Sequence, residues 1–116
     1  MKTSYFFSPK LTIDDDLVSV AGLAPKNFTD KFPNSLIYKP LVPPKQLVHD
    51  YKSKKISEKE YTKAYKEQLS KLDPVTIYYD LEDSIILCWE NPGKFCHRLL
   101  IAKWLESTTG ETISEL

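Results

Sequence analysis

Glu90, Cys96, His97 and Arg98 stand close together in the stretch ILCWENPGKFCHRLL, which runs from Ile86 to Leu100. A thiol, an imidazole and a guanidinium in succession, with a carboxylate just upstream, are the parts of a reactive site. Cysteine attacks as the thiolate, a form favoured by a helix N-terminus or a neighbouring cation. Histidine takes and gives protons near neutral pH. The planar fork of arginine matches phosphate and carboxylate groups. On this reading Cys96 is a nucleophile or polar contact, His97 the acid/base, Arg98 an anion clamp and Glu90 the carboxylate that orients a base. A plainer reading stands beside it. Cys96 packs as a small apolar residue, His97 bonds a carbonyl, and Glu90 pairs with Arg98.

Positioning these groups falls to a strand, a turn and a helix. SIILCW is a continuous apolar run, as expected of a central strand buried on both faces. Asn91-Pro92-Gly93 punctuates it, and KFCHRLLIAKWLES then has the pattern of a helix. With Phe95 at zero and steps of about 100° per residue, Lys103 and Glu106 fall at roughly 80° and 20°, the solvent side. Cys96, Leu100, Trp104, His97, Ile101 and Leu105 span roughly 100° to 280°, and Arg98 lies near 300° at the edge of that arc. The three reactive residues thus open the helix, where free backbone N–H groups make a positive end. In α/β sheets, ligands bind beyond the carboxyl ends of the strands. Such a corner suits an anion such as phosphate.

Elsewhere, SYFFS and LVSVAGL predict strands near Ser4–Phe7 and Leu17–Ala21, and LIYKP a short one at Leu36–Tyr38. LAPKNFTDKFPNS, with two prolines and little periodicity, is expected to be a loop. PKQLVHDYKS places Leu47, Val48 and Tyr51 on one helical face after Pro44. Ser57 and Glu60 have capping-box spacing. Behind them Tyr61, Ala64, Tyr65, Leu69 and Leu72 form an apolar stripe about 140° wide. DPVTIYYDL predicts a short helix capped by Asp73. The tail from Thr108 is expected to fray. Together these elements predict one α/β domain over residues 1–116, in two or three layers, with a short, mainly parallel sheet flanked by helices.

The 116 residues carry 16 basic and 16 acidic side chains, and 41% are hydrophobic. That balance argues against non-specific nucleic-acid binding through bulk charge. No run approaches the roughly 18 apolar residues of a membrane span. The N-terminus lacks the apolar core of a secretory signal. A cytoplasmic chain with reduced cysteines is expected, and no membrane partner. No metal is expected either. Helical neighbours Cys96 and His97 would point about 100° apart, and His49, at roughly 40° against an apolar arc centred near 250°, would face solvent. Cys88, inside the strand, reads as core packing. There is no Gly-x-Gly-x-x-Gly, P-loop or Gly-x-Ser-x-Gly elbow.

ILCWENPGKFCHRLLIAKWL, with its Cys-x-Glu, short turn and Cys-His-Arg, resembles the signature of a bacterial and phage family catalogued as domain of unknown function 488. SVAGLAPKNF and YKPLVPPKQLVHDYKSKKISEKEYTKAYKEQLSKLD match as well, so the likeness covers roughly Leu17 to Glu106. It implies a small α/β domain. It carries site roles onto Glu90, Cys96, His97 and Arg98, and onto the loop of Lys39, Pro40, Leu41 and Pro43, with Arg98 and Lys39 as ligand contacts. Two functions remain open. One is an anion- or nucleotide-binding domain, with or without catalysis, whose partner is a phosphate-containing small molecule. The other is a non-catalytic phage-type protein that inhibits a host factor by binding a protein partner. Neither names a cofactor or an oligomeric state.

Overall fold

The computed structural model describes residues 1–116. Five strands, β1 (Lys2–Tyr5), β2 (Asp16–Ser19), β3 (Leu36–Ile37), β4 (Ser84–Cys88) and β5 (Ser114–Glu115), form one sheet in the order β3-β2-β4-β1-β5. Every neighbouring pair is parallel. The sheet is therefore wholly parallel, where the sequence predicts a mainly parallel one. β4 lies at its centre. Ile86 stands opposite Thr3 on one side and Val18 on the other. All five β4 residues are buried. That explains an unbroken apolar run where a half-exposed strand would alternate.

Five helices complete the α/β domain: α1 (Lys26–Lys31), α2 (Lys45–Lys52), α3 (Glu58–Ser70), α4 (Pro74–Leu81) and α5 (His97–Thr109). A short 3-10 turn spans Lys39–Leu41. The start of α3 is fixed by the expected capping box. The Ser57 hydroxyl accepts from the Glu60 N–H, and the Glu60 carboxylate accepts from the Ser57 N–H. Tyr61, Tyr65 and Leu69 form its buried stripe. Asp73 caps α4 by accepting from the Val75 N–H, with Pro74 at the first helical position.

Two expectations fail. The segment read as a loop contains α1, a single helical stretch that sinks Phe28 into the core against Phe6 and Phe32. The tail expected to fray returns to the sheet. Gly110 ends α5 with φ 76°, a left-handed conformation that costs glycine little. The chain then reverses, buries Ile113 and pairs β5 beside β1.

The strand order also locates a crevice. From β2 the chain moves outward to β3 at one edge. From β4 it moves in the opposite direction, past β1, to β5. β2 and β4 are adjacent, so the segments leaving their carboxyl ends diverge. Such a switch point is where parallel sheets bind ligands.

Candidate functional site

The crevice between the carboxyl ends of β2 and β4 opens into a pocket of about 490 Å³. Ala21, Gly22 and Leu23 reach it from β2, and Trp89, Glu90, Cys96 and His97 from β4 and the start of α5. The Trp89 indole N–H donates to the Leu23 carbonyl at 2.7 Å and ties the two segments together. Tyr51, Tyr61 and Phe95 make an aromatic wall, each ring within 5.6 Å of the other two. Lys45, His49 and Lys52 also line the pocket, from α2. His49 is exposed, as its helical position predicts, yet it stands at the pocket edge.

Cys96 is not inside the helix. It is the N-cap residue of α5, with φ −149° and ψ 145°. This overturns the geometric reason for expecting no metal. An extended backbone at Cys96 cancels the helical offset, so its Sγ lies 3.9 Å from His97 Nδ1. Across from it, the Cys88 and Cys96 sulfurs stand at bonding distance, as in a disulfide, where the sequence predicts reduced cysteines. Their Cα atoms lie 7.3 Å apart, beyond the roughly 4.4–6.8 Å that a disulfide ordinarily spans. Reduction of that long-span pair leaves two thiols facing each other. The donor atoms of Cys88, Cys96 and His97 all lie within 4.8 Å of one another, so this trio has the makings of a metal ligand set.

His97 is 8% exposed, and its Nε2 lies 2.7 Å from the Val20 carbonyl. A carbonyl only accepts, so Nε2 carries the proton. Burial pushes the ring's pKa down to about 4; the Val20 hydrogen bond opposes this and the charge of Arg98 adds to it. The neutral ring then leaves Nδ1 bare, facing Cys96. Tyr65 packs edge-on against the same ring at 5.4 Å, with its hydroxyl donating to the Leu41 carbonyl. Burial holds the Tyr65 hydroxyl well above its ordinary pKa, so it stays a donor.

Arg98 differs most from the sequence reading. It is 0% exposed and pairs with Glu115 of β5, not with the Glu90 carboxylate. Its Nε and Nη2 donate to the two Glu115 oxygens at 3.2 and 2.8 Å. Nη1 donates to the Glu90 carbonyl at 2.7 Å and to Cys88 Sγ at 3.2 Å. The guanidinium is thus turned inward, toward a sulfur and the sheet, and is absent from the pocket lining. Lys39, the other expected ligand contact, is exposed on the 3-10 turn and also lies outside that lining.

The corner therefore brings Glu90, Cys96 and His97 to one pocket and leaves Arg98 behind it. Sequence reasoning missed the roles of Cys88 and Glu115. The Cys-x-Glu spacing puts Cys88 at the end of β4, with its sulfur 3.8 Å from Glu90 Oε2, and that spacing was the available signal for the former. Cys96 lines the pocket while Cys88 is 0% exposed. Alkylation of the reduced native protein is expected to modify Cys96 first, as read by peptide mapping. Faster modification of Cys88 would show that reagent does not enter through the pocket.

A parallel α/β sheet with a Cys/His cluster at its switch point defines the class of this protein. More particularly, the family model DUF488-N3a, described as the active DUF488-N3 subclade, matches residues 9–109, and the chain belongs to that family. No curated protein and no solved structure matches it. No helix is long and apolar enough to cross a membrane.

Proposed function

We propose that this chain binds an anionic small molecule bearing a flat ring, a nucleotide or close relative, and acts on it at the floor of the pocket. The observation that carries this reading is the placement of Cys96, His97 and Glu90 at one end of a largely apolar cavity edged by Lys45 and Lys52. Aromatic walls suit a ring, and the lysines suit phosphate. A cavity of this volume lies in the range of small-molecule sites. Cys96 is the nucleophile, and the bare Nδ1 of His97 stands beside its sulfur as a hydrogen-bond acceptor. Glu90, at the edge of the site, is its one carboxylate and the proton carrier. Arg98 acts as a positioning residue, holding Cys88 and the backbone of Glu90.

Thermal unfolding with inorganic phosphate, nucleoside monophosphates and nucleoside triphosphates tests the reading. A melting temperature that rises with nucleotide concentration is expected. The double substitution Lys45→Glu, Lys52→Glu is expected to weaken that shift by about tenfold in concentration, corresponding to roughly 1.4 kcal/mol. Saturating ligand is also expected to slow alkylation of Cys96. If no nucleotide produces a shift and none slows alkylation, the reading fails. The protein-inhibitor alternative would then be favoured if loss-of-function substitutions mapped to an exposed patch and spared Cys96.

A further inference from the structure

Cys88 is the group that the proposed chemistry does not use, and its surroundings are unusual for a packing cysteine. It is fully buried, touches the Cys96 sulfur, receives a guanidinium N–H at 3.2 Å and lies 3.8 Å from a carboxylate oxygen. We infer that Cys88, Cys96 and His97 form the protein half of a zinc-class metal site, binding through two sulfurs and Nδ1 and leaving a fourth position toward the pocket.

Four observations lead there. The first is reach. Zinc–sulfur and zinc–nitrogen bonds of about 2.3 and 2.0 Å, at tetrahedral angles, separate sulfur from nitrogen by roughly 3.6 Å and sulfur from sulfur by roughly 3.8 Å. Cys96 Sγ and His97 Nδ1 are already 3.9 Å apart. The 7.3 Å Cα span of the two cysteines is long for a disulfide, but it leaves room for an ion between sulfurs parted by side-chain rotation. The second is the histidine. A ligating imidazole ordinarily donates its other N–H to a carbonyl or carboxylate, which fixes the tautomer. His97 makes that bond to Val20 and turns Nδ1 toward the sulfurs.

The third observation is charge. Two thiolates balance a divalent ion, and an N–H donor from Arg98 already points at one of them, the outer-shell contact that such ligands use. Glu115 holds that guanidinium in place. The fourth is access. Cys96 and His97 line the pocket and Cys88 stands behind them, so the remaining coordination position faces the cavity. Three protein ligands with one open position are the pattern of a catalytic zinc. Two thiolates and an imidazole favour zinc over magnesium or calcium, which prefer oxygen. The inference does not require that a nucleotide enters. It does assign Cys96 a second state, because a thiolate held by an ion is withdrawn from attack.

The test uses the whole chain, reduced and treated with chelator, then titrated with cobalt(II) and with zinc(II). Uptake of one ion per chain is expected, with a sulfur-to-cobalt charge-transfer band that zinc displaces. Saturating zinc is expected to slow alkylation of both cysteines. Cys88→Ser and Cys96→Ser are each expected to weaken uptake tenfold or more, since outer-shell changes alone cost about 10–100-fold. Circular dichroism reports whether each variant folds. If one does not, the wild-type charge-transfer band and the alkylation protection carry the test. The inference is overturned if the reduced wild type takes up no stoichiometric cobalt. That includes the case in which the isolated chain carries an internal disulfide and stays metal-free after reduction. It is equally overturned if both folded serine variants bind as the wild type does. Nucleotide shifts measured in the chelator-treated protein keep this outcome separate from the fate of the pocket assignment.

Discussion

Replacing Arg98 with Met is expected to lower stability by about 2–3 kcal/mol, because it removes the charge-assisted hydrogen bonds of a fully buried guanidinium, while the part-exposed Glu115 can turn to water. Arg98 is 0% exposed and holds three otherwise separate parts together: the Glu115 carboxylate of β5, the Glu90 carbonyl after β4, and the Cys88 sulfur. Met fills similar volume but donates nothing. Glu115→Gln attacks the other end and strands a guanidinium that cannot lose its charge. It should cost a similar amount. Urea unfolding of both variants measures this, and a loss under about 1 kcal/mol in each would mean that the pair does not anchor β5.

Acid titration adds a signed test. Burial pushes the Glu115 carboxyl up, but hydrogen bonds from Arg98 and Thr3 and the Arg98 charge outweigh it, and its folded pKa is held below the ordinary value. A carboxyl depressed in the folded state contributes stability above its unfolded pKa, and that contribution drains away as pH falls through the folded one. His97 acts earlier in the same direction. Its unfolded ring protonates near 6.5, while the folded one resists to about 4. In the metal-free chain, stability is therefore expected to fall between those values, and to fall further at lower pH through Glu115. Glu115→Gln should keep the first decline and lose the second.

The parts of this molecule that were legible in the sequence are those whose local pattern agrees with their final packing. SIILC reads as a central strand because burial on both faces leaves no polar position. Ser57 and Glu60 mark a helix start because the cap is made within one turn. The corner at Glu90, Cys96 and His97 was legible because a Pro-Gly turn must place them near one another. What was hidden depends on distant pairing. β5 has only two residues, and nothing in Ser114 or Glu115 announces a strand. Its place is fixed by β1 and by Arg98. The partner of Arg98 was misread for the same reason. Glu90 is near in sequence, but its carboxylate turns toward the pocket and Cys88, while Glu115 arrives from the chain end. The pairing of the two sulfurs was hidden because Cys96 reads as helical in the sequence, when its extended cap conformation is what turns its sulfur toward Cys88.

The second large effect concerns the helix behind the site. Leu69 is 0% exposed and lies one turn beyond Tyr65 on the buried stripe of α3. Leu69→Ala removes three buried carbons and leaves a cavity that the surrounding core closes only in part, so a loss of about 2–5 kcal/mol is expected. Tyr65 carries the consequence toward the chemistry. Its ring packs on His97 and its hydroxyl is tied to the Leu41 carbonyl, and α3 cannot shift without moving one or the other. A loosened α3 should therefore raise the rate of Cys96 alkylation as well as lower the urea midpoint. Measuring both in one variant separates the two roles of the stripe. A stability loss below about 0.5 kcal/mol would place Leu69 in a region that repacks freely. A normal loss with unchanged Cys96 reactivity would mean that the Val20 carbonyl alone, without Tyr65, holds His97 against the thiol.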